Sequence, residues 1–478
     1  MSANFSREEL DHWTQEHRVQ MIEELKDWVR HPSVSRADLA APGAPYGPDC
    51  RKMLDYALKR GAEEGFDVQN ANGYAGSISY GDGAEEIGLV CHLDVVPEGD
   101  GWIYAPYDPV ETNGFLIGRG IGDNKGSAVA SFFLLQYLRE HGIKLRHTVR
   151  GLLGCAEETG MDDFATYVKE GLGPVPQFSI VADGGFPVNY AQKGGLDFSV
   201  SVPGGADLVD MKAGNVRNAI PDKAILTVRN TTADAALAIL TAHELTSVKA
   251  EAAADGNAVV LTFFGKGGHA AGPENGDNAI VKAARGAGYL AADAGLDLGM
   301  IPQIADAFTD YYGGALGIAA EDETSGKLTM NAGVIHSEGD HYRIEADIRF
   351  PVSCKGAEII AAIESNIAGY GMSVITHHIA DPFYIDPESS IVKTLMSIYQ
   401  DITGDTESKS YAMGGGTYSR VVPNAVTFGP GLPNAPKKDF LPEGHGGAHG
   451  PDEALNIDAW LTGFRIYVES VIRLDDIL

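Results

Sequence analysis

The chain has 478 residues, 36 of them Lys or Arg and 66 Asp or Glu, for a formal charge of −30. With 44% hydrophobic and 21% charged residues it reads as a globular protein with core volume for several domains, or for one domain carrying a large insertion. So acidic a balance argues against nucleic acid or anionic membrane as a partner, because phosphates would be repelled.

Four widely spaced cysteines (Cys50, Cys91, Cys155, Cys354) form no CxxC pair, which points to reduced thiols in a cytoplasmic protein. The N-terminal segment has no basic stretch followed by an apolar run, so no signal peptide is expected. No apolar stretch approaches the roughly 18 residues of a membrane span.

Ser6 and Glu9 stand at capping-box spacing ahead of Leu10, Trp13, Val19, Met21, Ile22, Leu25, Trp28 and Val29, which predicts an opening helix closed by His31-Pro32. After a Pro/Gly-rich loop, Ala41 to Pro48, a second helix is predicted over Arg51 to Glu64, then strand-like pieces between Val68 and Tyr80. Ile87 to Val90 is an apolar run ending at His92, Gly126 to Leu138 an apolar helix, and Val149 to Leu153 a strand ending at Cys155-Ala156. Asp162 to Lys169 reads as a helix, and Phe178 to Val181 as a strand ending at Asp183. This alternation predicts an α/β domain with a largely parallel sheet.

After Lys193 the character changes. Leu196 to Val202, Lys223 to Arg229, Ala258 to Phe264 and Tyr342 to Phe350 read as strands, alternating with the Ala-rich helices Ala233 to Leu245 and Ala279 to Leu296. Residues 194–380 are therefore read as an α+β insertion between two parts of one α/β domain, 1–193 and 381–478. The second part carries a helix from Ile391 to Thr403, a strand at Ala425 to Phe428 and a closing helix from Asp458 to Arg473.

Chemistry concentrates at the strand ends, where ligands bind in α/β sheets. His92-Leu93-Asp94 suits a metal ligand backed by a carboxylate, and equally a hydrogen-bonded surface histidine. Gly118-Arg119-Gly120-Ile121-Gly122-Asp123-Asn124-Lys125-Gly126 supplies glycines for tight turns before a helix. It lacks the spacing of a phosphate-binding loop, and Asp123 would repel phosphate; an acid there can also simply cap the helix. Glu157-Glu158-Thr159-Gly160 follows a buried-looking run, and adjacent side chains diverge, so one carboxylate can bind a metal while the other faces a water molecule. Asp183, before Gly184 and Gly185, ends a further strand, and His449-Gly450-Pro451-Asp452-Glu453 lies in a late Gly/His-rich loop. Singly these signals are unspecific. Together they supply the carboxylate and imidazole mix that binds Zn²⁺, Mn²⁺ or Co²⁺, enough for two metals sharing one carboxylate with a Glu left as base.

The stretches His92 to Trp102, Gly118 to Gly126, Ala156 to Gly160, Asp183 to Pro187, Gly265 to Ala279 and His449 to Glu453 resemble, in order, those of the M20 family of co-catalytic metallopeptidases, and most closely its PepV-type dipeptidases. The resemblance implies an α/β/α zinc-peptidase-like catalytic domain with residues 194–380 as a lid domain large enough for two ferredoxin-like halves. It implies two divalent ions, Zn²⁺ first with Mn²⁺ or Co²⁺ as alternatives. His92 and Asp183 would bind one, Glu158 and His449 the other, and Asp123 would bridge them. Glu157 would be the general base, and Asp94 would hold the His92 imidazole. From the lid, His269 would stabilise the oxyanion, and Asn218 and Arg349 would contact substrate. Gly415, Gly416 and Thr417 would offer backbone N–H groups to the substrate carboxylate. Asn124 stands where the family often has Asp or Met, after a cis peptide. His445 competes with His449, which is preferred for its spacing to Pro451 and Glu453.

The implied activity is hydrolysis of dipeptides or very short peptides with a free N-terminus, by a monomer whose enlarged lid supplies the histidine within one chain. Two alternatives are an N-acyl-amino-acid amidohydrolase of the same family and a binding protein that has lost catalysis. His377-His378 reads as exposed strand-edge histidine, and most of the acidity as a solvated surface.

Overall fold

In the computed structural model, which describes residues 5–254 and 256–478, three apolar runs become adjacent parallel strands, Glu86–His92, Thr148–Gly154 and Phe178–Val181. They are buried along almost their whole length, as an unbroken apolar run requires when helices cover both faces. Leu152 packs with Phe164 and Tyr167 of the helix Asp162–Lys169. A side chain on the neighbouring Gly151 would instead run into Ser131 of the helix Lys125–Glu140. Successive strand residues face opposite ways, so the two helices lie on opposite sides of the sheet.

From one edge the strand order is Asp67–Ala71, Ala75–Tyr80, Thr148–Gly154, Glu86–His92, Phe178–Val181, Ala425–Phe428 and Val188–Gln192. His92 stands opposite Gly154 and Val90 opposite Val181, which brings the C-terminal ends of the central strands into line. The opening helix, Arg7–Val29, is capped by the Ser6 hydroxyl, which accepts from the Glu9 N–H. The second helix, Gly47–Glu63, starts earlier than predicted because Pro48 is accommodated in its first turn.

The chain separates into two units, one holding residues up to Tyr190, Ile385–Tyr411 and Thr417–Leu478, the other Ala191–Tyr384 and Ala412–Gly416. Gly415 and Gly416 thus belong to the inserted unit and Thr417 to the first.

The inserted unit is built on one antiparallel sheet of eight strands, in the order Val248–Ala252, Val259–Phe264, Lys223–Val228, Leu208–Ala213, Thr329–Glu338, His341–Phe350, Gly194–Pro203 and Ser373–Ala380. Two four-stranded halves meet where Ala213 pairs with Ile335. The helices Ala233–Ala242, Ala279–Ala294 and Gly356–Ile367 pack their apolar sides into a single core with these strands. This is the α+β insertion expected from the sequence. His377 and His378 are exposed on the edge strand Ser373–Ala380.

Candidate metal centre

Within the first unit the strand ends deliver His92, Glu157, Glu158 and Asp183 to one place, the turn before the helix Lys125–Glu140 brings Asp123, and the late loop adds His449. Asp123 directs Oδ1 to His92 Nε2 at 3.0 Å and Oδ2 to His449 Nε2 at 3.2 Å. His449 Nε2 lies 3.0 Å from Glu158, and Asp183 Oδ1 lies 3.8 Å from His92 Nε2. Ligand atoms of His92, Glu157 and Asp183 lie within 4.8 Å of one another, as do those of His92, Asp123 and Glu158. His445 is turned away, its Nδ1 2.6 Å from Asp452 Oδ2, so of the two competing histidines it is His449 that joins the cluster.

The electrostatics follow from this crowding. Burial pushes Asp183 up to about 7 against the pull of His92, with Asp123 and Glu158 adding to the rise. Burial, followed by repulsion from Asp183, raises Glu157 well above the ordinary carboxyl value. Burial opposes ionisation of Asp123, but hydrogen bonds to His449 and His92 pull it well below the usual range. The same bonds to Asp123 and Glu158 lift His449 to about 10.

Among the described residues no Lys or Arg pairs with Asp123, Glu157, Glu158 or Asp183. The two imidazoles are outnumbered by these four half-buried carboxylates, and such an excess of negative charge is costly unless a cation joins it. Mixed carboxylate and imidazole donors, with one carboxylate offering an oxygen to each side, fit a pair of divalent ions.

Buried carboxylates fix the loops that carry these groups. Asp94 accepts the N–H groups of Glu157 and Glu158, both at 3.1 Å. His92 Nδ1 is 2.9 Å from the Asp94 carbonyl and 3.4 Å from its Oδ1, so Asp94 orients the ring through its backbone as well as its side chain. Glu453 accepts from Gly120, Gly122 and Asp123 N–H at 2.9–3.0 Å and pairs with buried Arg119 at 2.9 Å, wrapping the loop that ends in Asp123. Of the three glycines before Asp123 only Gly120 has a left-handed φ, +79°. The Asp123-Asn124 peptide is cis. Asn124 accepts from the His92 N–H at 3.2 Å and donates to Ala182 O at 2.7 Å, tying two strand ends together. Asp123 and Asp183 also border a cavity of about 320 Å³ walled by Phe115, Leu432, Leu455 and Trp460.

In the inserted unit, Asn218 and Arg349 line one cavity of about 370 Å³ with Arg217, Asp197, Glu345 and Asp347. Arg349 is held by buried Asp347 through Nη2–Oδ2 at 2.7 Å and Nε–Oδ1 at 3.1 Å. His269 is exposed on a two-residue strand paired with Ala219, next to Asn218. Its Nδ1 accepts the Ala271 N–H at 3.1 Å, so the neutral ring carries its proton on Nε2. Thr417, in the first unit, is buried with its hydroxyl 2.7 Å from that of Thr427. Asp452 likewise accepts the N–H groups of Ile103 and Tyr104 at 3.0 Å, and neither its role nor that of Glu453 is apparent from sequence, although both belong to the motif ending at Glu453.

Residues 88–473 match the model of peptidase family M20/M25/M40. The chain belongs to that family. It is 30% identical over 466 residues to "Putative dipeptidase YtjP" of Bacillus subtilis (strain 168), covering 95% of this chain and 97% of that one. Among solved structures it resembles the di-peptidase Dug1p of Saccharomyces cerevisiae (12% identity, TM-score 0.58, 98% and 99% of the two chains). It also resembles the M20 metallo-carboxypeptidase Sso-CP2 of Sulfolobus solfataricus (15% identity, TM-score 0.57, 96% and 99%). At such identities the two structures show the shared fold alone. Among the described residues no helix is long and apolar enough to cross a membrane.

Proposed function

We propose that this chain hydrolyses the peptide bond of dipeptides or very short peptides with a free N-terminus, using two divalent ions, Zn²⁺ first with Mn²⁺ or Co²⁺ as alternatives. The observation that carries this reading is Asp123, with one oxygen toward His92 and the other toward His449, in the cluster that also holds half-buried Glu157. His92 and Asp183 would hold one ion, Glu158 and His449 the other, and Asp123 both. When bound, the ions supply Lewis acidity, lowering the pKa of a water molecule and polarising the scissile carbonyl.

Glu157 takes the proton from the attacking water and later gives it to the leaving amine. Asp94 keeps His92 and the Glu157-Glu158 backbone in place. His269 donates from Nε2 to the developing oxyanion, while Asn218 and Arg349 contact the substrate. Gly415, Gly416 and Thr417 take its carboxylate through backbone N–H groups. The free cysteines agree with a cytoplasmic setting, and the proposed monomer rests on the size of the insertion, about twice what one small lid unit needs.

A free dipeptide compared with its N-acetyl form tests the substrate class. The expected outcome is a kcat/KM about a hundredfold or more in favour of the unblocked alanyl-alanine, as for a site built around a polar group of its substrate. Faster cleavage of N-acyl amino acids than of any dipeptide would replace this reading with the amidohydrolase one.

A further inference from the structure

Between the end of the strand Thr148–Gly154 and Glu158, four successive backbone N–H groups donate to just two buried carboxylates. Those of Glu157 and Glu158 go to Asp94, and those of Cys155 and Ala156 go to Asp163 Oδ2, at 2.6 and 2.8 Å. Asp163 is fully buried, and its other oxygen accepts the Phe164 N–H at 2.7 Å. The same Oδ2 also accepts the hydroxyl of fully buried Tyr418. Tyr418 directly follows Thr417, so one carboxylate oxygen joins the turn that carries Glu157 to the start of the segment after the glycine run. The approach is tight: any Cβ on Gly154 would collide with Tyr418 Oη and with Asp163 Oδ2.

From the sequence, Asp163 looks like an ordinary acid in the first turn of a helix, where a negative charge is favourable anyway. Its side chain instead turns back to the peptide groups preceding Glu157. Charge-assisted bonds from consecutive amides leave a turn little freedom, and a base must be held within a fraction of an ångström to act.

We infer that Asp163, together with the Tyr418 hydroxyl, is a positioning pair for Glu157, setting the turn that aims the general base and coupling it to the segment beginning at Thr417. The inference rests on Glu157 being the base. Both side chains are fully buried, so they act through the turn and not on the substrate.

The test compares wild type, Asp163→Asn, Tyr418→Phe, the double variant and Glu157→Gln, each loaded with metal, on the same free dipeptides. Misplacement of the base predicts a kcat about a hundredfold lower for Asp163→Asn and about tenfold lower for Tyr418→Phe, with KM within about threefold and two ions per chain retained. Because both act through one oxygen, the double variant should be no slower than Asp163→Asn. Wild-type kcat in both metal-loaded single variants, or a loss that follows metal content or KM, overturns the inference. If Asp163→Asn does not fold, Tyr418→Phe decides, since it removes one hydroxyl and leaves the Asp163 amide contacts. A wild type inactive on every dipeptide counts against the proposed function. An inactive Glu157→Gln beside fully active Asp163→Asn and Tyr418→Phe counts against this inference alone.

Discussion

Glu157→Gln is expected to lower kcat by about 10²- to 10⁴-fold, the range that a positioned acid–base group contributes, while both metal ions remain bound. The amide has nearly the size of the carboxyl but cannot take a proton from water or return one to the leaving amine. The assay must pair turnover with metal content. Two close groups bear on this: that of His92, Asp123 and Glu158, which His449 also faces, leaves Glu157 out, whereas that of His92, Glu157 and Asp183 includes it, so metal content decides between base and ligand. Loss of metal in this variant would move Glu157 from base to ligand. Near-normal turnover in the loaded protein would remove it from the chemistry.

Asp123→Asn is expected to act on the metals first and on rate as a consequence. Asp123 gives one oxygen to each histidine side of the cluster, and only a carboxylate has two equivalent oxygens for that purpose. The amide keeps one acceptor and turns an N–H donor toward the other side. Metal content should fall from two ions per chain to one or fewer, and kcat/KM about a hundredfold or more, equivalent to ~3 kcal/mol of transition-state stabilisation. The contrast with Glu157→Gln is the point: one variant loses rate with metal retained, the other loses both. Full metal content in Asp123→Asn would show that the two sites do not share this residue.

Much of the catalytic unit was legible because its central strands are buried on both faces. Such strands read as unbroken apolar runs, and the polar residues that follow them (His92, Glu157, Glu158, Asp183) are then marked by position alone. The inserted unit was harder. Val248–Ala252 is an edge strand of Val, Lys, Ala, Glu and Ala, mostly exposed, and nothing in that composition favours a strand over a helix until the neighbouring strand pairs with it. Ser373–Ala380 is likewise a largely exposed edge. Leu208–Ala213 and Thr329–Glu338, which join the halves of the sheet, and the helix Gly356–Ile367 also went unpredicted.

In the site, the candidate ligands were visible but what holds them was not. Asp163 reads as a helix-start acid and Tyr418 as core. Glu453 shows no sign in the sequence that its carboxylate reaches back to Gly120, Gly122 and Asp123. The Tyr418 and Glu453 contacts join residues more than 250 positions apart, and those of Asp163 to Cys155 and Ala156, though only eight and seven positions long, depend on a side chain turning back that local pattern does not record.

The most direct measurement is to strip the protein of metal and titrate Zn²⁺ back while following hydrolysis of a free dipeptide. Activity should be absent from the stripped chain, appear as metal is added, and reach its plateau at two ions bound per chain. Hydrolysis by the metal-free chain, or a chain that binds two ions and cleaves no dipeptide, would contradict the account.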